Sequence, residues 1–279
     1  DSNASRGLGD VYKRQEESYI ESLNNSHVKN LVKLRERKHR NRQERFIIEG
    51  YREIKHSIEA NFQIETLYFC PELFPSEVHV EYISNIKTQR DIPLIRMHPS
   101  AFKKASLREG PDGIIAVSKP NHYSLNQLKT NKTSIILVLE GIEKPGNLGA
   151  IIRSAEGAGV DALFMIDCAI DCYNPNAIRS SQGLVFRIPI IDLKHDVAFQ
   201  WLSDSGYQVI ATSPNAKVHY NKQDYSSKNA LVMGSESDGL TPLTLSRVDQ
   251  TVQIPMYGKA DSLNVSVATA ICLYEIKNK

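Results

Sequence analysis

The sequence predicts an α/β protein with a mostly parallel C-terminal sheet and a smaller N-terminal α/β domain. Three observations support this class. Apolar runs of strand length alternate with helical patterns, one strand-length run is apolar throughout, and a polar stretch divides the chain. Strand-then-helix alternation is typical of parallel sheets covered on both faces. The chain has 279 residues, 41% of them hydrophobic and 24% charged, which is enough for two domains.

The N-terminal half contains short apolar runs bounded mainly by Pro or Gly. Residues 1–15 lack periodicity, and we expect residues 1–20 to form a disordered or non-native tail. Residues 21–119 are expected to form the smaller α/β domain, with its elements at Phe46–Ile48, Tyr51–Ala60, Ile64–Cys70, Ile92–Met97 and Gly113–Val117. Residues 120–133 are polar and Asn-rich, which indicates a linker.

The C-terminal domain, residues 134–279, begins with the continuous apolar run Ser134–Leu139, which predicts a central parallel strand. A helix follows, with an apolar stripe formed by Leu148, Ile151, Ile152 and Ala155. Further strands and a closing amphipathic helix are predicted at Ala162–Ile166, Tyr207–Ala211, Ala230–Met233, Val252–Pro255 and Val265–Ile276. In such sheets, ligands bind beyond the carboxyl ends of the strands.

Composition narrows the environment and the partners. No apolar run reaches 18 residues and no signal-peptide core is present, so we expect a cytoplasmic protein without a membrane partner. Cys168 and Cys172 have no nearby His, so we expect reduced thiols and no metal. The net charge is only +2, but Lys29–Arg45 carries eight Lys or Arg against two acids. This density suits either phosphate contacts, through Arg37, Lys38, Arg40 and Arg42, or a solvated helix face.

The loop after the first strand of the C-terminal domain carries an Asn and an Arg six residues apart. Asn147 follows Pro145-Gly146 and is predicted to be a helix N-cap. Arg153 falls away from the apolar stripe, and Gly149 is expected to leave space above its guanidinium. A buried strand followed by a Gly-containing helix start favours a functional site over a merely solvated Arg.

Two further loops follow predicted strands. Gly234-Ser235-Glu236-Ser237-Asp238-Gly239 has glycines that permit close backbone approach to a ligand, although such loops are often plain turns. Ile254-Pro255-Met256 leads through Gly258 to Ser262-Leu263-Asn264-Val265-Ser266, where Asn264 alone would be interpreted as an N-cap. The order and spacing of all three loops carry the functional inference.

Together the loops resemble the SpoU-type (TrmH-like) branch of the SPOUT RNA methyltransferases. The three family motifs are Asn-x-Gly-x-x-x-Arg, Gly-x-Glu-x-x-Gly and apolar-Pro-x-x-Gly with Ser-Leu-Asn-Val-Ser, and all are present without substitution. Arg179-Ser180-Ser181-Gln182-Gly183 matches another family stretch. Arg45–Gly50 and Pro111–Val117 resemble the family's ribosomal-protein-like substrate-binding domain.

The resemblance implies a deep trefoil knot, a homodimer with shared sites, and S-adenosyl-L-methionine (SAM) as cofactor. It implies SAM contacts at Thr212, Ser213, Gly234, Ile254, Met256 and Leu263. It implies a catalytic cluster of Asn147, Arg153, Glu236, Ser262 and Asn264. Arg179 is implied to contact RNA. The closing helix carries Val267, Ala270, Ile271 and Tyr274 on one face, which fits a two-fold contact with its own copy.

The implied activity is SAM-dependent methylation of an RNA ribose 2′-hydroxyl, with ribosomal RNA favoured over transfer RNA. A transfer-RNA methyltransferase and a catalytically inactive RNA-binding relative are the alternatives. Base methyltransferases of the superfamily lack the Asn-x-Gly-x-x-x-Arg start, and the glycine motifs of dinucleotide-binding enzymes and serine hydrolases are missing. For Arg153 the roles of base and electrostatic stabiliser both stay open.

Overall fold

In the computed structural model, which describes residues 18–129 and 131–279, the N-terminal half forms a five-stranded mixed sheet. The strands, in the spatial order β1-β4-β3-β5-β2, are β1 (Ser18–Ile20), β2 (Phe46–Glu49), β3 (Ile64–Phe69), β4 (Leu94–Met97) and β5 (Ile114–Ser118). The helices are α1 (Ser26–Lys33), α2 (Arg37–Gln43), α3 (Tyr51–Glu59), α4 (Glu77–Gln89) and α5 (Pro99–Ala105). Only β5 runs antiparallel to its neighbours, β2 and β3.

The predicted tail is wrong for its last three residues. Residues 1–17 lie outside the described part of the chain, but Ser18–Ile20 form β1, which pairs in parallel with β4 at the edge of the sheet. Three residues are too few to show a period of two, so no sequence pattern marked this strand.

The C-terminal domain is a seven-stranded, wholly parallel sheet in the order β10-β12-β9-β11-β6-β7-β8. Its strands are β6 (Ser134–Glu140), β7 (Ala162–Ile166), β8 (Ile190–Asp192), β9 (Gln208–Thr212), β10 (Val218–His219), β11 (Lys228–Met233) and β12 (Gln250–Gln253). Its helices are α6 (Pro145–Gly157), α7 (Pro175–Ser180), α8 (His195–Asp204), α9 (Pro242–Leu245) and α10 (Val265–Asn278). The last strand ends before the predicted Pro255, which has no N–H to give to a ladder.

Both faces of this sheet are covered, as predicted. Leu137 and Leu139 of β6 pack with the apolar stripe of α6 and with α10. Ile136 and Val138, whose side chains alternate to the other face, pack with α8. The predicted linker also packs on this second face, through Tyr123, Leu125 and Leu128. No helix in the described ranges is long and apolar enough to cross a membrane.

The two domains share a hydrophobic core. Phe46 of β2 stacks on Tyr173 with ring centroids 4.4 Å apart, and Phe62 meets Phe186 edge-on at 4.8 Å. Gly183, at φ +81°, lets the chains approach closely, since a Cβ there would lie 2.8 Å from Cα of Glu53. The N-terminal domain is therefore seated firmly on the C-terminal one.

Candidate active site

A cavity of about 860 Å³ opens beyond the carboxyl ends of β9, β11 and β12. This is the edge at which ligands bind in parallel sheets. The lining includes all six residues for which the sequence predicted cofactor contacts, namely Thr212, Ser213, Gly234, Ile254, Met256 and Leu263. The fold thus brings together residues from three separate loops, and their binding role stays a prediction.

Gly234 occupies a position where the backbone leaves no room for a side chain. A Cβ there would lie 2.3 Å from the carbonyl carbon and oxygen of Gly239 and 2.7 Å from the backbone nitrogen of Leu240. The loop folds back on itself at this point, because the backbone N–H of Ser235 donates to the Gly239 carbonyl at 3.1 Å. Glycine therefore sets the shape of this cavity wall.

Glu140, which the motifs did not indicate, anchors the far end of the same loop. Its carboxylate is buried at the end of β6 and accepts from the Thr241 backbone N–H at 3.1 Å. It also accepts from the hydroxyls of Thr241 at 2.8 Å and Thr244 at 2.7 Å. A buried carboxylate is stable only when its oxygens are satisfied in this way. The one sequence signal was an acid ending a buried strand.

Three predicted catalytic side chains meet at the edge of the cavity. The Asn264 Nδ2 donates to Glu236 Oε1 at 2.5 Å and to Asn147 Oδ1 at 3.2 Å. The Asn264 Oδ1 accepts from the backbone N–H of Ser266 at 3.0 Å and thereby caps α10. The N-cap interpretation of Asn264 is confirmed, and its other side-chain atom links the three motifs.

Lys144 is a fourth member of this cluster, and the motifs did not indicate it. Its Nζ forms an ion pair with Glu236 Oε2. Lys144, with a further contribution from Asn147, holds the pKa of Glu236 below its ordinary value, and Glu236 raises the pKa of Lys144. Both groups are therefore charged at neutral pH. We call Lys144, Asn147, Glu236 and Asn264 the polar ring.

The prediction that Asn147 is the N-cap of α6 is wrong. The helix begins at Pro145, with Lys144 as N-cap. Proline is favoured at the first helical position because its φ is already helical and its missing N–H has no partner there to lose. Asn147 consequently sits within the first turn, where its side chain reaches Asn264.

The interpretation of Gly149 as space for a guanidinium is also wrong. A Cβ at Gly149 would lie 1.9 Å from Oγ of Ser180 and 2.7 Å from the backbone nitrogen of Ser181. Gly149 therefore allows α6 to pack directly against α7. Such an approach depends on a helix that follows some 30 residues later, so local spacing could not distinguish the two roles.

The structure does not bring the remaining two catalytic candidates into the ring. Arg153 lies on the exposed face of α6, as predicted, but no hydrogen bond or ion pair joins it to the ring within residues 18–129 and 131–279. Ser262 is exposed and lines the cavity. A single chain thus assembles three of the five predicted residues directly.

The basic stretch divides into structural and exposed residues. Arg40 is only 4% exposed and donates to two carbonyls in its own domain and to Asp171 Oδ2 at 2.5 Å, so its assignment to phosphate binding is wrong. Arg37 donates to the Ala169 carbonyl at 2.8 Å and stays half-exposed. Lys38 and Arg42 are exposed, as is Arg179 in the last turn of α7. Since Ala169 and Asp171 follow β7, α2 lies at the same sheet edge as the polar ring.

The structure combines a small mixed-sheet domain with a parallel α/β domain that has a cavity and a polar ring at its carboxyl edge. This combination defines the class of protein that the motifs resemble. The SpoU rRNA methylase family matches residues 134–274, and the MRM3-like substrate binding domain matches residues 25–116. The chain belongs to the SpoU rRNA methylase family.

Particular relatives agree over nearly the whole chain. The 23S rRNA (guanosine(2553)-2′-O)-methyltransferase RlmP of Bacillus subtilis is 30% identical over 92% of this chain and 98% of its own. An RNA 2′-O ribose methyltransferase of known structure is 35% identical, with a TM-score of 0.81 over 93% of this chain and 98% of its own. The AdoMet-bound rRNA methyltransferase of Sinorhizobium meliloti is 28% identical, with a TM-score of 0.84 over 94% and 97%.

Proposed function

We propose that this protein methylates a ribose 2′-hydroxyl of ribosomal RNA with SAM as methyl donor. The observation that carries the proposal is the cavity at the carboxyl edge, lined by all six predicted SAM contacts and adjoined by the polar ring. RlmP and the Sinorhizobium meliloti enzyme, both similar over nearly the whole chain, are named for ribosomal RNA, which favours ribosomal over transfer RNA as the substrate.

The residues present fit the cofactor. Gly234 lines the cavity with its backbone alone, and Ile254 and Leu263 add apolar walls. When bound, SAM supplies a methyl group on a sulfonium that is already activated for transfer. The protein then has to align the hydroxyl and help it lose a proton, since a neutral ribose hydroxyl is a poor nucleophile.

Arg153 is proposed to stabilise the negative charge that develops on the ribose oxygen and on a neighbouring phosphate. A guanidinium keeps its proton above pH 12, so it is a poor base at neutral pH. The proton passes to water or to phosphate instead. Glu236 balances the positive charge of Arg153 and orients the Asn264 amide. Ser262 supplies a hydroxyl at the cavity wall.

Within one chain, no hydrogen bond or ion pair of the described residues joins Arg153 to the polar ring. A homodimer would bring Arg153 of one chain to the polar ring of the other. The face of α10 that the sequence marked for contact remains uncovered, with Val267 47% and Tyr274 49% exposed. This face adjoins α6, which carries Arg153, because a Cβ at Gly157 would lie 3.2 Å from the Tyr274 hydroxyl. We propose that a second copy covers α10 and α6 and shares Arg153 with its partner's site.

The trefoil knot and the cytoplasmic location belong to the same proposal. The knot is supported by the family resemblance and by α10, which follows the cavity loops and packs back against α6 and the β6–β11 core. Ribosomal RNA as substrate supports a cytoplasmic site of action.

The activity is tested by mapping 2′-O-methylation across ribosomal and transfer RNA in strains with and without the gene. Loss of a single ribose methyl group from ribosomal RNA, restored by the purified protein and SAM, is expected. Methylation of a base, or of transfer RNA alone, would contradict the proposal. Calorimetric titration with SAM distinguishes a methyltransferase from an inactive RNA-binding protein, because the inactive protein would bind no cofactor.

The exposed basic residues of α2 are expected to contact phosphate. Changing Lys38 and Arg42 to Gln should weaken RNA binding and reduce the log–log salt slope by roughly 0.7–0.9 per lost contact. Arg40 is left intact, because removing it would strand the partly buried Asp171. Lys129→Gln with Lys132→Gln is the control, since both lysines are exposed and lie just before β6, at the opposite edge of the C-terminal sheet from α2. An unchanged affinity and slope in the α2 variant would show that α2 is only a solvated face.

A further inference from the structure

The polar ring is closed through the backbone of α6. Lys144 and Asn147 lie one turn apart on this helix start, and each holds one of the two long-range partners. Lys144 binds Glu236 of the loop after β11, and Asn147 binds Asn264 of the loop before α10. The Glu236–Asn264 hydrogen bond completes the circuit. Loops from three parts of the chain are thereby tied to one helix end.

The backbone conformation of Lys144 is fixed by the residues around it. It precedes Pro145 and is extended, at φ −90° and ψ 123°, as a residue before proline tends to be. The helix behind it is fixed by the buried stripe and by the close approach of Gly149 to α7. The side chain therefore starts from a rigid point and reaches across to the Glu236 loop.

The Lys144–Glu236 pair is poorly suited to stabilising the fold. The side chain of Lys144 is 69% exposed, and solvent-exposed ion pairs contribute little to the free energy of unfolding. What the pair does fix is the rotamer of Glu236, because it holds one carboxylate oxygen while Asn264 holds the other. A carboxylate held at both oxygens has one orientation toward the cavity that it lines.

We propose that Lys144 is a positioning residue for methyl transfer, acting through Glu236 to hold the ring in the geometry that the acceptor hydroxyl requires. The inference rests on the proposed function, because it assigns a role within that same site. Lys144 is not among the residues that line the proposed SAM cavity, although it lines a smaller adjoining pocket with Asn147 and Glu236. Its loss should therefore affect turnover and leave cofactor binding intact.

Lys144→Gln is expected to lower kcat roughly tenfold, as for a misaligned catalytic group, with the KM and Kd for SAM within about twofold of wild type. Lys144→Arg should restore most of kcat because it keeps the charge and the reach. The matched control is Lys194→Gln, an exposed lysine at the N-cap of α8 whose side chain makes no ion pair in the described part of the chain. The assay uses tritiated SAM and total ribosomal RNA from a strain lacking the gene.

A double-mutant cycle tests whether Lys144 acts through Glu236. In a Glu236→Gln background, adding Lys144→Gln should change kcat by less than about twofold, since the interaction is already lost. Additive losses, or Lys144→Gln activity equal to wild type, would overturn the proposal. An equal loss of SAM affinity and thermal stability would overturn it as well, because it would show a structural role. If wild-type protein transfers no methyl group to this RNA, the proposed function itself fails, and the two failures are thus distinguishable.

Discussion

Replacing Arg153 with alanine is expected to lower turnover roughly 100-fold or more while leaving SAM affinity unchanged, as for the loss of a charge-stabilising donor. The substitution should be harmless to the fold, because Arg153 lies on the exposed face of α6 while the buried stripe faces the other way. Turnover is measured at saturating SAM, and the Kd for SAM is measured by calorimetry. Near-normal turnover would show that Arg153 is a solvated surface residue.

A complementation experiment shows which chain's site Arg153 serves. Arg153→Ala is co-expressed with Gly234→Ala, which we expect to bind SAM about ten- to a hundredfold more weakly, and turnover is measured at a SAM concentration that fills only the sites with intact Gly234. If Arg153 serves the partner's site, each mixed dimer has one site free of both lesions. About a quarter of wild-type turnover should then return, because random assembly makes half of the dimers mixed. If Arg153 serves its own chain, both sites of every mixed dimer are damaged and no turnover returns.

Gly234→Ala is expected to weaken SAM binding by about ten- to a hundredfold, in line with the usual cost of overpacking. The added methyl group would meet only backbone atoms, at 2.3 Å from Gly239 and 2.7 Å from Leu240, so no side-chain rotation relieves the clash. The loop must open, and with it the cavity wall. Calorimetry with SAM measures the loss, and a thermal melt checks that the chain stays folded.

Gly110→Ala is the control for this substitution. A Cβ there would have no atom within 4 Å, and Gly110 lies in the N-terminal domain, outside the cavity lining. It should bind SAM like wild type. If both variants bind normally, the Gly234 loop does not form the cofactor site, and the cavity belongs to some other ligand.

The sequence predicted the parallel domain well because its signals were local. Continuous apolar runs marked the buried strands, and the stripe that includes Leu148 and Ile152 marked the buried face of α6, which the structure confirms. The cavity-lining residues were located by family motifs that sit directly after those strands. Elements of three residues, such as β1, carry too little pattern to be found in this way.

Pairings across long stretches of chain could not be predicted. Lys144 and Glu236 are 92 residues apart, and nothing near Lys144 announces a carboxylate partner. Arg40 lies within a basic stretch that resembles a solvated arm, yet it is buried because of Asp171, 131 residues further on. Composition describes what a segment could bind, whereas the fold decides which of its charges are still free to do so.

The core shared by the two domains limits how the protein can be divided. Phe46 and Phe62 belong to one domain and Tyr173 and Phe186 to the other, yet these four rings pack as one cluster. Cutting the chain at the linker would leave each half with an exposed apolar surface that its own residues do not cover. Exchanging the N-terminal half for that of a relative therefore requires the matching aromatic surface to be exchanged with it.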